Sequence, residues 1–232
     1  MVKRKTAIII RKSHRYLGIF LGIQFLMWTI SGLYFSWTDI DEIHGDQFKK
    51  EVQPISHNNL LKLDAFSYEY PISSLELKTI ASEPYYWIND SVLIHAQLGN
   101  IKEKISKEDA LKVASEYLIG SLKVKSIDFI TEVGKHHEYR GRPLPAYVIS
   151  YDHPENIKAY VSALDGSFQR VRHQSWRWFD FLWMTHTMDY EGRDNFNTIV
   201  LRVFSLLGLI TVLSGFVLWY ISSPTLRKIF KR

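Results

Sequence analysis

The chain has 232 residues, no cysteine, and 29 Lys and Arg against 24 Asp and Glu, a formal net charge of +5. The absence of thiols excludes disulfides, thiol catalysis, iron–sulfur clusters, cysteine zinc sites and c-type haem attachment, so a metal would need His, carboxylate or Met ligands. The positive charge does not mark a nucleic-acid surface. Ten cations lie in the two terminal segments, and without them 19 Lys and Arg face 24 acids, a net of −5.

Residues 1–15 carry Lys3, Arg4, Lys5, Arg11, Lys12 and Arg15 and no acid. An uncharged run of 22 residues, Tyr16 to Trp37, follows. At about 1.5 Å per residue it is long enough to cross a hydrocarbon core of about 30 Å. The run is too long for the apolar part of a signal peptide, and no small-x-small cleavage site follows it, so residues 16–37 are expected to be a retained anchor. Gly18 and Gly22 form a GxxxG pair of the kind that lets helices approach closely, which makes a homodimer an expectation.

Residues 38–74 match no pattern. Within 38–100, "PYYWINDSVLIHAQLGNI" (84–101) reads as strand, turn and strand. Residues 101–172 read as one unit. "SKEDALKVASEYLI" (106–119) is a helix with Ser106 as cap, Asp109 three residues on, and Ala110, Leu111, Ala114, Tyr117 and Leu118 on one face. The strands "KSIDFITEV", "PAYVISY" and "IKAYVSALDGSFQRV" follow, with turns at "DHPEN" and Asp165–Gly166. The earlier stretch is a shorter copy of this pattern, aligning Pro84 with Pro145, Ala96 with Ala163 and Gly99 with Gly166.

Residues 173–197 hold "SWRWFDFLWMTHTMDY", where Trp176, Phe179, Trp183, His186 and Tyr190 recur at helical spacing. A helix this aromatic beside a span is expected along the outer membrane interface, lying against the lipid bilayer. Asn197 or Thr198 can cap a second span over 198–221, and a basic tail, 222–232, closes the chain. With both basic ends cytoplasmic, the chain sits in the cytoplasmic membrane and the segment between the spans lies outside the cytoplasm.

"ISKEDALKVASEYL", "YVISY" and "AYVSALDGSFQRV" resemble the PepSY domain, and "RKSHRYLGIFLGIQFLMWTISGLYFSW" resembles the first span of PepSY-associated transmembrane proteins. The resemblance implies an α+β fold: extracytoplasmic PepSY-like modules of helix plus antiparallel sheet, anchored by two transmembrane helices, with the aromatic helix before the second. The family divides into members linked to regulating secreted peptidases and members with about four spans that include haem-containing reductases of iron–siderophore complexes. In the reductase-like relatives a histidine at the place of "MTHTMDY" is a plausible haem ligand, which makes His186 a candidate here, together with His14 at the threshold of the first span.

His14 and Trp37 are 23 residues apart, about 34 Å along a helix, so His14 and His186 belong to opposite leaflets and cannot share one iron. A bis-histidine b-type haem near the cytoplasm would take His14 from two chains of a dimer, and on the outer side His186 could pair with His44, His173 or its own copy. The competing reading of both His14 and His186 is a ring at the headgroup level with no metal. His136, His137 and Glu138 with His153 could bind a metal, but "GKHHEYRGRP" reads as a polar hairpin loop, and no separate metal site is expected.

Two functions follow. The first is a component of transmembrane electron transfer, reductase-like, at most an oxidoreductase component. The alternative is a non-catalytic binding or regulatory protein, or an accessory subunit of a larger membrane complex. The sequence contains no HExxH or GxSxG, so no peptidase chemistry is expected, and no nucleic acid is expected as a partner.

Overall fold

The computed structural model describes residues 4–66, 68 and 70–223. The expected cytoplasmic tail therefore lies, from residue 224 onward, outside the described residues. The chain divides into two compact units, residues 1–37 with 180–232, and residues 38–179.

The first unit is built on two long helices. α1 runs from Arg4 to Trp37, so the basic residues from Arg4 to Arg15 are wound into the same helix as the uncharged run. α5 runs from Ile199 to Ser222 and is capped by Thr198, whose side chain accepts from the Leu201 N–H. Both are long and apolar enough to span a bilayer. They pack against each other antiparallel: Phe20 stacks on Phe204 with ring centroids 5.6 Å apart, and Phe25 lies against Gly208. Most of their apolar surface faces outward, as expected for helices whose solvent is lipid.

The second unit holds two antiparallel four-stranded sheets. β1 (Leu75–Ile80), β2 (Glu83–Ile88), β3 (Val92–His95) and β4 (Ile101–Lys102) form one meander, and β5 (Val124–Ile130), β6 (Ala146–Tyr151), β7 (Lys158–Ser162) and β8 (Phe168–Arg172) form the other, each in sequence order. A short helix, α2 (Ile40–Ile43), lies at the start of the unit, and α3 (Lys107–Tyr117) separates the sheets in the chain. α3 begins with a full capping box: the Ser106 side chain accepts from the Asp109 N–H while the Asp109 carboxylate accepts from the Ser106 N–H. Its Ala110, Val113 and Ala114 share one core with Tyr85, Trp87 and Leu93 of the first sheet and Ile149, Ala159, Val161 and Val171 of the second.

The internal repeat is visible in the hydrogen bonding. Ala96 N–H donates to the Pro84 carbonyl at 2.9 Å, and Ala163 N–H donates to the Pro145 carbonyl at 2.9 Å. Gly99 and Gly166 occupy the same turn position in left-handed conformation, at φ +75° and +67°, where a side chain would be strained. The first copy is larger than the sequence pattern indicates, because β1 completes a full four-stranded sheet. Its alternation is masked in the sequence, since β2 is buried on both faces: Tyr85 and Trp87 enter the shared core, while Tyr86 and Ile88 pack with Phe66, Ile94 and Ala96.

Residues 38–74, silent in the sequence, are part of this unit. Phe48 enters the shared core, Phe66 covers the other face of the first sheet, and Leu61 N–H donates to the Ala96 carbonyl at 2.7 Å.

The aromatic helix α4 covers Gln174–Thr187, and Met188 leaves it with φ +53°, so Tyr190 lies beyond the helical face on which its spacing put it. Its first residues, through Phe179, count with the second unit, and the remainder count with the first.

Candidate functional site

The helical unit contains two histidines, His14 and His186, and each sits in the same small arrangement of hydrogen bonds. His14 lies on α1 beside Gly215 of α5, its Cε1 3.2 Å from where a Cβ on that glycine would stand. Gly215 is seven residues, about 10 Å, before the end of α5, so His14 lies within the helix pair rather than at its edge. His14 Nδ1 is 2.8 Å from Ser214 Oγ and 3.2 Å from the Thr211 carbonyl. His186, near the end of α4, has Nδ1 2.7 Å from Ser31 Oγ, with the Phe35 ring edge-on at 5.6 Å.

Four side chains of α1 seat this end of α4. Gln24 Nε2 donates to the Thr185 carbonyl at 3.0 Å, and Trp28 Nε1 donates to the His186 carbonyl at 2.8 Å. Ser31 meets the His186 ring, and Phe35 meets Trp183 edge-on at 5.8 Å. Residues 24, 28, 31 and 35 are spaced four, three and four apart, which places them on one helical face. Two of the carbonyls at the C-terminus of α4, which lack intrahelical partners, thereby receive donors from α1. Asp189 then closes the turn into α5 by accepting from the Glu191, Gly192 and Asn195 N–H groups. Asp180 pairs with Arg193.

Ser31 and His14 are 17 residues apart on one continuous helix, about 26 Å along its axis. The two histidines therefore stand at separate levels, and neither has a second histidine of the same unit beside it.

The other two candidates belong to the second unit. His44 caps α2 through its backbone N–H, and its ring is exposed. His173 is fully buried: Nδ1 is 2.9 Å from Glu155 Oε2, and Nε2 is 3.0 Å and 3.2 Å from the Glu42 and Ile43 carbonyls. Both of its nitrogens are engaged by groups of its own unit, and the ring ties the end of β8 to α2.

Among the described residues no group of three or more His, Cys, Asp or Glu is placed to hold a metal ion. Glu138, from the loop read as a polar hairpin, is drawn instead into a buried network. It accepts from Arg177 Nε at 2.7 Å and from the Tyr160 hydroxyl at 2.6 Å. Burial pushes its carboxyl up, but the hydrogen bonds from Arg177 and Tyr160 outweigh it and hold the carboxyl below its ordinary value of 4.5.

Ser31 and Ser214, single hydroxyls inside apolar runs, carry no chemical signal in the sequence. Gln24 gives a faint one, as an amide inside an uncharged span.

The family model for the PepSY-associated TM region matches residues 2–221. No curated protein and no solved structure matches the chain. The haem-containing branch that the resemblance brings into view makes b-type haem the group to test against these residues. A histidine that ligates iron uses one nitrogen and ordinarily donates the other N–H to a hydroxyl, carbonyl or carboxylate. His14 and His186 both fit that pattern, with Nδ1 engaged and, among the described residues, no partner on Nε2.

Proposed function

The chain belongs to the PepSY-associated TM family of membrane proteins, and from that premise we propose that it is a component of transmembrane electron transfer, of the iron–siderophore reductase kind. In this reading His14 and His186 would each hold a b-type haem through one imidazole, at opposite ends of the helix pair. The termini lie in the cytoplasm, and the two-sheet unit lies outside it. Bound haem supplies a one-electron Fe(III)/Fe(II) couple at each level. The chain's own contribution is to orient the two imidazoles, with the Phe35 ring edge-on to that of His186. A second copy of the chain completes each ligand pair, because no single helical unit carries two histidines at one level.

The observation that supports this most directly is the pair of equivalent histidines, separated by about the thickness of a bilayer, each with Nδ1 hydrogen-bonded and Nε2 without a described partner. The test is a reduced-minus-oxidised visible spectrum of detergent-purified protein from haem-replete cells, with haem quantified per chain. Stoichiometric b-type bands that weaken in His14→Ala and again in His186→Ala support the reading. A colourless protein overturns it, and the two-sheet unit then becomes the place to look for a binding or regulatory role.

A further inference from the structure

We infer that Ser31 and Ser214 are positioning residues that set the tautomers of His186 and His14, each holding its histidine with the proton on Nδ1 and the lone pair on Nε2. The inference rests on the haem reading only for what the lone pair binds; the tautomers follow from hydrogen bonds alone.

A serine hydroxyl has one proton. The Ser31 hydroxyl lies 2.7 Å from the Met27 carbonyl of its own helix, with the Trp28 carbonyl at 3.2 Å. Given to either of these carbonyls, the proton is used within α1 and is not available to the imidazole. The face of Ser31 Oγ turned to His186 Nδ1, 2.7 Å away, is then a lone pair, to which the nitrogen donates. The same holds at the other end. The Ser214 hydroxyl lies 2.7 Å from the Thr211 carbonyl, so its oxygen accepts from His14 Nδ1 at 2.8 Å. Here the carbonyl of Thr211 is itself 3.2 Å from Nδ1, a second acceptor that enforces the same tautomer. A neutral imidazole protonated on Nδ1 presents an unprotonated Nε2, the form that binds iron.

The two ends differ in a way that can be tested. His186 depends on Ser31 alone, whereas His14 retains the Thr211 carbonyl if Ser214 is lost. Ser31→Ala should release His186 to the other tautomer, and Ser214→Ala should change His14 far less. Ser31→Thr keeps a hydroxyl able to bond the preceding turn and should preserve the native tautomer.

The experiment is long-range proton–nitrogen correlation NMR on full-length, ¹⁵N-histidine-labelled protein in detergent, prepared without haem at a pH where the rings are neutral. His14→Gln and His186→Gln assign the signals. The expected result is Nδ1–H for both in wild type and in Ser31→Thr, with loss of that form at His186 in Ser31→Ala. Nε2–H at His186 in wild type, or an unchanged His186 signal in Ser31→Ala, would overturn the inference. A parallel titration of each variant with haem separates the two claims. If wild type binds haem, Ser31→Ala should lower affinity at the His186 level by about 10- to 100-fold. Native tautomers in a protein that binds no haem would sink the electron-transfer reading and leave this inference standing.

Discussion

Trp28 Nε1 donates to the His186 carbonyl across 2.8 Å, joining residues 158 positions apart in the chain. With the Gln24 amide on the Thr185 carbonyl, it completes the C-terminus of α4 with side chains from α1. The backbone beneath His186 is therefore held by the same helix whose Ser31 meets its ring.

Gln24→Leu removes the donor to a buried carbonyl and leaves nothing in its place. The unpaired carbonyl should cost about 1–3 kcal/mol of stability. Thermal unfolding in detergent should show a lowered midpoint, and an unchanged midpoint would mean that water or lipid replaces the amide without loss.

Alanine at three glycines should separate helix contacts from open surface. A Cβ at Gly208 meets the Phe25 ring at 3.2 Å and 3.3 Å, and one at Gly215 meets His14 at 3.2 Å, whereas one at Gly18 meets nothing within 4 Å. Gly208→Ala and Gly215→Ala should each destabilise by about 1–3 kcal/mol through overpacking. Gly18→Ala should leave the monomer's stability unaltered. Should Gly18→Ala instead shift the protein from dimer to monomer in light scattering, the GxxxG face would be the contact between copies.

Glu138 gives the two-sheet unit a pH dependence with a definite sign. Its folded carboxyl is held below 4.5, with Arg177 and Tyr160 outweighing burial, so its stabilisation is fully present above 4.5 and is lost as the pH falls through the folded value. Glu138→Gln should cost about 2 kcal/mol at neutral pH, discounted because Arg177 is partly exposed. The gap between variant and wild type should narrow in acid. Chemical denaturation across pH checks this, and a gap that widens in acid would contradict it.

His173→Ala should lower the stability of the two-sheet unit by about 2–3 kcal/mol, because it unpairs Glu155 and the carbonyls of Glu42 and Ile43 at a fully buried position. Any haem bands should remain as in wild type. A loss of haem without loss of stability would return His173 to the ligand set.

Much of this molecule is determined by patterns that act locally. The uncharged runs, the Ser106–Asp109 capping box and the Pro–Ala–Gly spacing of the repeat all involve residues near one another in the chain, and hydrophobicity or turn chemistry alone dictates their form. Residues 38–74 and β1 were illegible because their partners are distant: Phe48 and Phe66 are buried by strands that come later, and β2 is covered on both faces, which erases its alternation. The histidines divide in the same way. The length of α1 along its axis follows from sequence, since helical rise is constant, but the level of His186, beside Ser31 and not Trp37, comes from the seating of α4 on α1. Which histidine is committed to the core, as His173 is, and which has Nε2 without a described partner, as His14 and His186 do, was decided only by tertiary structure, because the groups that meet each ring come from 155 and 200 residues away.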